Sequence, residues 1–374
     1  QELLDSLGIE IDASVRTERL DLQQCKLVEI AKAMYWQPKI LVVDETTTAL
    51  SQTGRNLLYK LMRKMADEGG SVMFISHDLD EMMEHCDAVT VLRDGNIIGS
   101  LDKEEFDGNK MKEMMVGREV SGNYYRNDND SYEDEITLKA HCITTRKDLL
   151  CFNLELHKGE VLGIGGLSEC GMHTVGKALF GYEKILDGKV TVGAKQTVVK
   201  NPETAIANGI AYTSKDRDHE SLGLAGSIRD NIASTGYYFN RIFGPIISFG
   251  KEKKFVQNQI DTLELKCASQ YHSVNTLSGG NKQKVVFGKW IGSEADVLIL
   301  DCPTRGIDIG VKASMYQLIY KMKKQGKSII LISEELPELI GMSDRILIMK
   351  DGKIVHEAMR SENPTEHDLI NYMI

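Results

Sequence analysis

One displacement governs what this chain can fold into. Asp44 ends the apolar run Ile40 to Val43 just as Asp301 ends Val297 to Leu300, and the two aspartates lie 257 positions apart. The same displacement carries Leu20 onto Leu277, Thr47 onto Thr304, Tyr59 onto Tyr316, Ser76 onto Ser333 and Asp94-Gly95 onto Asp351-Gly352. No gap is needed from residue 20 to about residue 98. Self-similarity held over that length means two copies of one folding unit. At 374 residues the chain has room for two cores.

In the second copy, Leu277-Ser278-Gly279-Gly280-Asn281-Lys282-Gln283-Lys284 precedes an apolar helical run, Val285 to Ile291. Two glycines ahead of a helix leave backbone N–H groups bare, with a serine hydroxyl beside them and the positive end of the helix dipole behind. That combination suits a terminal phosphate. Taken alone, Ser-Gly-Gly is an ordinary helix start with turn glycines. The segment that follows decides otherwise: residues 296–300 read as a buried parallel strand whose C-terminal end presents Asp301, a carboxylate placed for a metal ion.

At these residues the sequence resembles the ATP-binding cassette (ABC) ATPases, whose signature is LSGGQ followed by a Walker B strand. The resemblance covers nearly the whole chain. It implies an α/β fold of tandem P-loop NTPase cassettes, each with a mostly parallel central sheet, an antiparallel β subdomain and a helical subdomain. It also implies ATP and Mg2+ as cofactors. The expected domains are residues 1–119, the C-terminal part of a first cassette; 120–135, a polar linker without apolar periodicity; and 136–374, a second cassette. The first cassette is expected to be incomplete. The glycine-rich turn at Gly166 to Thr174 has its first-copy counterpart upstream of Gln1, and the chain is expected to be an N-terminally truncated fragment. The strand at 40–44 then has exposed edge and apolar surface.

In the first copy, adjacent Asp44 and Glu45 after a buried strand suit a division of labour, Asp44 holding magnesium through water and Glu45 polarising the attacking water. His77 resembles the switch histidine that meets the γ-phosphate in this superfamily. The first copy's signature position is Leu20-Asp21-Leu22-Gln23-Gln24, where a carboxylate replaces the serine and both glycines are lost, so this clamp is expected to be inert.

In the second copy, Gly166 and Gly171 stand at P-loop spacing, but Met172 takes the place of the lysine and His173 that of the magnesium-binding hydroxyl. Gly166, Gly171 and Thr174 are still expected to cradle phosphate weakly, and Lys177 reads as a surface residue. Lys215 stands where the family carries an acid, and Cys302 where it carries the water-polarising glutamate. Glu334 stands at the switch position, and Pro303 to Asp308 resembles the D-loop of sugar-importer second cassettes. The head-to-tail pairing of ABC lobes implies one hydrolytic site, with catalytic Glu45 and His77, metal-binding Asp44 and the nucleotide grip of Ser278, Gly279, Gly280 and Asn281. The other site, around Asp301, is degenerate.

The functional expectation is the ATP-hydrolysing subunit of a bacterial ribose/galactose-type importer, peripheral at the cytoplasmic face of the membrane. Its partners would be membrane permease subunits and, through them, an extracytoplasmic sugar-binding protein. A nucleoside importer ATPase and a soluble tandem-cassette ATPase are the alternatives. A net charge of -10 and a pI near 5.5 argue against nucleic-acid binding. Seven scattered cysteines without a CxxC pair suggest reduced thiols.

Overall fold

The computed structural model describes residues 1–374 except 77, 94–95, 117–124, 127, 129–130, 240–247, 293–294, 308 and 374. The chain divides into two compact units, residues 1–121 and 122–374. The first unit runs α1 (Glu2–Ser6), α2 (Leu22–Tyr35), β1 (Ile40–Asp44), α3 (Gln52–Asp67), β2 (Ser71–Ile75), α4 (Leu79–His85), β3 (Ala88–Arg93), β4 (Asn96–Asp102) and α5 (Gly108–Val116). Helix α3 forms because Leu58, Leu61, Met62 and Met65 recur on one face and are buried, while the Ser51 side chain accepts from Gly54 N–H at its start. Strands β1 and β2 pair in parallel from Ile40 opposite Ser71 to Asp44 opposite Ile75. Strands β3 and β4 form an antiparallel hairpin.

The second unit continues β5 (Glu133–Thr144), β6 (Phe152–Lys158), β7 (Val161–Gly166), α6 (Met172–Leu179), β8 (Asp187–Val192), β9 (Thr197–Val198), α7 (Pro202–Ala207), β10 (Ile210–Thr213), α8 (Ile228–Phe239) and α9 (Phe249–Thr262). It ends with α10 (Gly279–Ile291), β11 (Val297–Asp301), α11 (Ile309–Lys324), β12 (Ser328–Ile332), α12 (Leu336–Met342), β13 (Arg345–Lys350), β14 (Lys353–Met359) and α13 (Glu366–Met373). The main sheet has the order β10-β11-β12-β7-β13-β14, parallel except for the β13–β14 hairpin. Its strands β7, β11 and β12 are buried throughout, as runs such as Val-Leu-Ile-Leu require. A second sheet, β6-β5-β8-β9, is antiparallel.

Three sequence expectations need adjustment. The Cys142 and Cys151 thiols are joined as a disulfide between β5 and the start of β6, where residue spacing alone gave no sign of pairing; the other five cysteines are free. The expected linker is not featureless: strand β5 starts at Glu133, and within the second unit Tyr125 packs on Tyr316 while the buried Arg126 pairs with Asp344 at 2.7 Å. The glycine- and aromatic-rich stretch Gly236 to Gly250, which reads from sequence as a loop, is helical up to Phe239 and again from Phe249, and its residues 240–247 lie outside the described residues.

The repeat holds element by element. Strands β1, β2, β3 and β4, displaced by 257, give β11, β12, β13 and β14, and the bulge between Val91 and Leu92 recurs between Ile348 and Met349. Glu45 and Cys302, equivalent positions, both adopt left-handed backbone with φ of 44° and 47°. Their N–H groups donate to the equivalent carbonyls of Ile75 and Ile332. Below each turn lies a buried carboxylate: Glu81 accepts from Thr47 at 2.9 Å and Ser76 at 3.1 Å, and Glu338 accepts from Thr304 at 2.8 Å and from Ser333.

The units differ in what covers the sheet. In the second, β7 joins β12 to β13, and α6 lies on β11 and β12 so closely that a Cβ on Gly176 would stand 2.8 Å from Ile332. Among the described residues of the first unit no strand joins β2 to β3 as β7 joins β12 to β13. There β1–β2 and β3–β4 are separate two-stranded sheets, and Ile40, Val42, Met73 and Ile75 are 67, 57, 58 and 43 % exposed, whereas their equivalents Val297, Ile299, Ile330 and Ile332 are buried.

Two outcomes follow from this fold. Amides of β1 exchange with deuterium at least about a hundredfold faster than those of β11, because a bare two-stranded sheet opens locally; equal protection by exchange mass spectrometry would contradict the difference. Burial, with the nearby Glu335 charge, pushes Glu338 up to about 7 against the opposing hydrogen bonds from Ser333 and Thr304. The folded state therefore holds this proton more tightly than the unfolded chain. The contribution is full below pH 4.5 and is lost as pH rises to about 7. Between those values wild type loses about 2 to 3 kcal/mol of second-unit stability relative to Glu338→Gln, measured by denaturant titration.

Candidate functional site

Strand β7 delivers the chain into the turn Gly166 to Gly171, which leads directly into α6. Glycine is required at both ends. A Cβ on Gly166 would meet the Cys170 sulfur at 2.4 Å and the Met349 carbonyl at 2.5 Å, and Gly171 has φ of 95°. The N-cap of α6 is Gly171, which has no side chain to cap the helix, and the positive end of the helix dipole lies at this turn. Met172, at the lysine position, is wholly buried and belongs to the core. The Thr174 hydroxyl donates to Asp148, whose loop packs against Gly171 and Gly352.

His173 points from α6 to the end of β11. Its Nδ1 lies 2.7 Å from Oδ1 of the fully buried Asp301, whose Oδ2 accepts from the Tyr212 hydroxyl at 3.2 Å. Its Nε2 lies 3.1 Å from Lys215 Nζ and 3.4 Å from Glu334. Glu334 in turn accepts from Lys215 at 2.6 Å and from Ser168 at 2.7 Å. These contacts set the charge states. Burial opposes a charged imidazole, but the hydrogen bonds to Asp301 and Glu334 outweigh it and raise His173 above its usual value. The His173 contact, with Lys215 and Ser168, holds Glu334 far below the usual carboxylate range. Burial, then the Asp301 charge, pushes the Cys302 thiol far up, so it is neither nucleophile nor base at neutral pH.

The ligand atoms of His173, Asp301 and Cys302 lie within 4.8 Å of one another, the one such metal-type cluster among the described residues. The Lys215 ammonium beside His173 and the protonated Cys302 thiol both count against a cation there. In front of the cluster opens a cavity of about 570 Å³ lined by His173, Lys177, Lys215, Arg217, Asp301 and Arg305, among others. Lys177, read from sequence as a surface residue, stands on this wall and pairs with Glu220 at 2.8 Å.

The signature segment starts α10. Ser278 is exposed at the N-cap and makes no side-chain cap to the helix; its hydroxyl instead accepts from Asn281 Nδ2 at 3.0 Å. Its glycines also serve packing: a Cβ on Gly279 would lie 2.9 Å from the Arg217 guanidinium and 3.1 Å from the Gly306 carbonyl, and one on Gly280 would lie 3.0 Å from Val311. Arg217 donates to the Arg305 and Gly306 carbonyls, tying this helix start to the turn beyond β11.

The equivalent start of α2 in the first unit is closed from within. The Asp21 carboxylate accepts from Gln24 N–H at 2.7 Å, and the Gln24 side chain accepts from Asp21 N–H at 3.1 Å. Gln23 accepts from Ser51 N–H at 2.9 Å. Asp44 is exposed at the end of β1, with Glu45 next to it. His77 lies outside the described residues. Asp148, Tyr212 and Arg217 were not singled out from sequence; only the tyrosine, a phenol in a wholly buried strand, carried a signal, since such a hydroxyl needs a partner.

A family model described as "ABC transporter" matches residues 149–305. The chain is 35 % identical over 354 residues to the ribose import ATP-binding protein RbsA of Bacillus cereus, covering 95 % of this chain and 71 % of that protein. It is 34 % identical over 376 residues to the galactose/methyl galactoside import ATP-binding protein MglA of Clostridium tetani, covering 100 % and 74 %. Among solved structures, the dimeric ATP-binding cassette MJ0796 bound to ADP and Pi is similar with a TM-score of 0.53 and 19 % identity over 60 % of this chain and 98 % of that one. The ADP conformation of the cassette MJ1267 gives 0.52 and 21 % over 63 % and 98 %. Those two likenesses show the fold, and with relatives of this closeness over nearly its whole length the chain belongs to the family of ABC transporter ATP-binding proteins that includes RbsA and MglA.

Proposed function

We propose that this chain is the subunit that binds and hydrolyses ATP to drive monosaccharide import through an ABC permease. The observation that carries the reading is the open N-terminus of α10 at Ser278, on a fold and in a family whose named members are import ATP-binding proteins. The names of those relatives favour a sugar over a nucleoside cargo or a soluble role. Among the described residues no helix is long and apolar enough to cross a membrane, so membrane permease subunits would supply the pathway, with this chain peripheral at the cytoplasmic face and an extracytoplasmic sugar-binding protein as indirect partner.

The roles divide between the units. Ser278 hydroxyl and the Gly279, Gly280 and Asn281 N–H groups would hold a terminal phosphate, as uncapped helix starts do. The Gly166 to Gly171 turn and the start of α6, with Thr174 committed to Asp148, would give a second unit's phosphates backbone donors but no lysine. Asp44 and Glu45 offer an exposed pair of oxygen donors, the chemistry a Mg2+ ion takes, and the ion when bound would neutralise phosphate charge. Asp44 would hold it; Glu45 would accept the proton of the attacking water, with His77 beside the γ-phosphate. Cys302, a buried neutral thiol, cannot replace Glu45 in the second unit. Nucleotide binding and hydrolysis would then gate the permease by closing and opening the subunit.

The asymmetry between the two helix starts gives the test. In permease-reconstituted vesicles supplied with ATP, Ser278→Arg lowers ribose or galactose uptake at least about a hundredfold, because it blocks an open phosphate grip. Asp21→Ser, which keeps a helix cap, changes uptake less than about twofold. The reverse ranking, or uptake indifferent to ATP, would overturn the reading.

A further inference from the structure

We infer that the second unit's nucleotide site takes a metal-free nucleoside polyphosphate, with the His173 imidazole and the Lys215 ammonium standing where an ABC cassette of intact motif would keep its divalent ion. The inference rests on the proposed function above and deepens it for one site.

The geometry around Asp301 carries it. A carboxylate that serves a magnesium ion offers it oxygen lone pairs, directly or through water. Asp301 is wholly buried, and each of its oxygens already accepts a hydrogen bond from the protein, Oδ1 from His173 Nδ1 at 2.7 Å and Oδ2 from the Tyr212 hydroxyl at 3.2 Å. The second carboxylate of the cluster, Glu334, is likewise engaged, by Lys215 at 2.6 Å and Ser168 at 2.7 Å. Lys215 Nζ sits 3.1 Å from His173 Nε2 and 2.6 Å from Glu334, so a dication approaching the histidine and Glu334 meets an ammonium already between them. Like charges at such a distance repel strongly where solvent is thin.

The residues that differ from an intact motif fit together in one scheme. Met172 removes the P-loop cation and fills core space, His173 removes the hydroxyl that a magnesium ion would use, and Cys302 removes an acid. Lys215 adds a cation on the cavity wall, beside Lys177, Arg217 and Arg305. These four bases face four acids on the same wall, Asp216, Asp218, Glu220 and Asp301, so an anionic ligand is met by individual N–H donors of Lys215, Arg217 and Arg305 rather than by a net positive charge. The helix start at Gly171 adds backbone donors without needing a metal to bridge them. Acids on the same wall, Asp216, Asp218 and Glu220, are each tied to a neighbour: His219, Lys282 and Lys177 respectively. A soft metal at His173, Asp301 and Cys302 is the competing outcome, and one held through Nδ1 would have to replace the hydrogen bond between His173 and Asp301.

The test uses the 374-residue protein, radiolabelled ATP and Mn2+ or Zn2+ as probes. ATP affinity in excess EDTA is expected within about twofold of that in excess MgCl2, and Lys215→Met is expected to weaken the EDTA value by about tenfold, the loss of one charge-assisted contact. The paired change His173→Ser with Lys215→Glu is expected to gain a Mn2+ site, read by loss of the free-ion EPR signal, and to make ATP binding depend on Mg2+. ATP binding in wild type that falls tenfold or more in EDTA would overturn the metal-free site while leaving the nucleotide reading intact. So would EDTA binding that is indifferent to Lys215→Met, or a wild-type Mn2+ or Zn2+ site lost in Asp301→Asn. No ATP bound in either buffer would overturn both this inference and the reading of the unit as a nucleotide site.

Discussion

In each unit one buried carboxylate at equivalent positions, Glu81 or Glu338, holds together the segments around the strand-end turn. Glu338 joins the turn after β11, through Thr304, to the end of β12, through Ser333, and it sits at the start of α12. Glu81 does the same in the first unit with Thr47, Ser76 and α4. A buried acid has to be satisfied, so three segments distant in sequence are held together at one point. The left-handed backbone at Glu45 and Cys302 persists because its surroundings over-determine it: an N–H bond to the neighbouring strand on one side and this knot on the other. Whatever residue stands after the strand-end aspartate is thereby aimed the same way in both units.

On that shared frame the two units carry different residues at equivalent positions. The first keeps the Asp44–Glu45 pair but closes its own signature helix with Asp21, a side-chain anion where a phosphate would bind. The second keeps the open helix start at Ser278 but has replaced the base with a thiol and has turned its strand-end aspartate toward a histidine. Each substitution is locally well satisfied: Asp21 completes a capping box, Met172 fills the core, and His173 bridges two carboxylates.

Much of this was legible in the sequence because a repeat makes each half a control for the other. The gapless displacement matched the strands and helices from residue 20 to about residue 98 with their counterparts in the second unit, and the carboxylate at Asp21 stands at a helix start that the structure closes with a capping box. The exposed apolar face of β1–β2 agrees with the expectation of exposed apolar surface on the strand at 40–44. What stayed hidden were contacts that only the topology creates. Tyr212 meets Asp301 across 89 positions and Lys215 meets Glu334 across 119, pairings that no local pattern encodes. Lys177 looked solvent-bound because a lysine on a helix usually is; it is part-exposed, and Glu220, 43 positions away, pairs with it at 2.8 Å. The Arg126–Asp344 pair was masked by a polar, aperiodic stretch whose side chains find partners far along the chain.

The central claim is that only the residue after β1, and not its twin after β11, takes a proton from water. The most direct measurement is ATP turnover by the permease-bound protein carrying Glu45→Gln or Cys302→Ser. The account predicts a loss of about 10²- to 10⁴-fold for Glu45→Gln, the usual cost of removing a general base, and a rate within about twofold of wild type for Cys302→Ser. Normal turnover with Glu45→Gln, or an equal loss with Cys302→Ser, would contradict it.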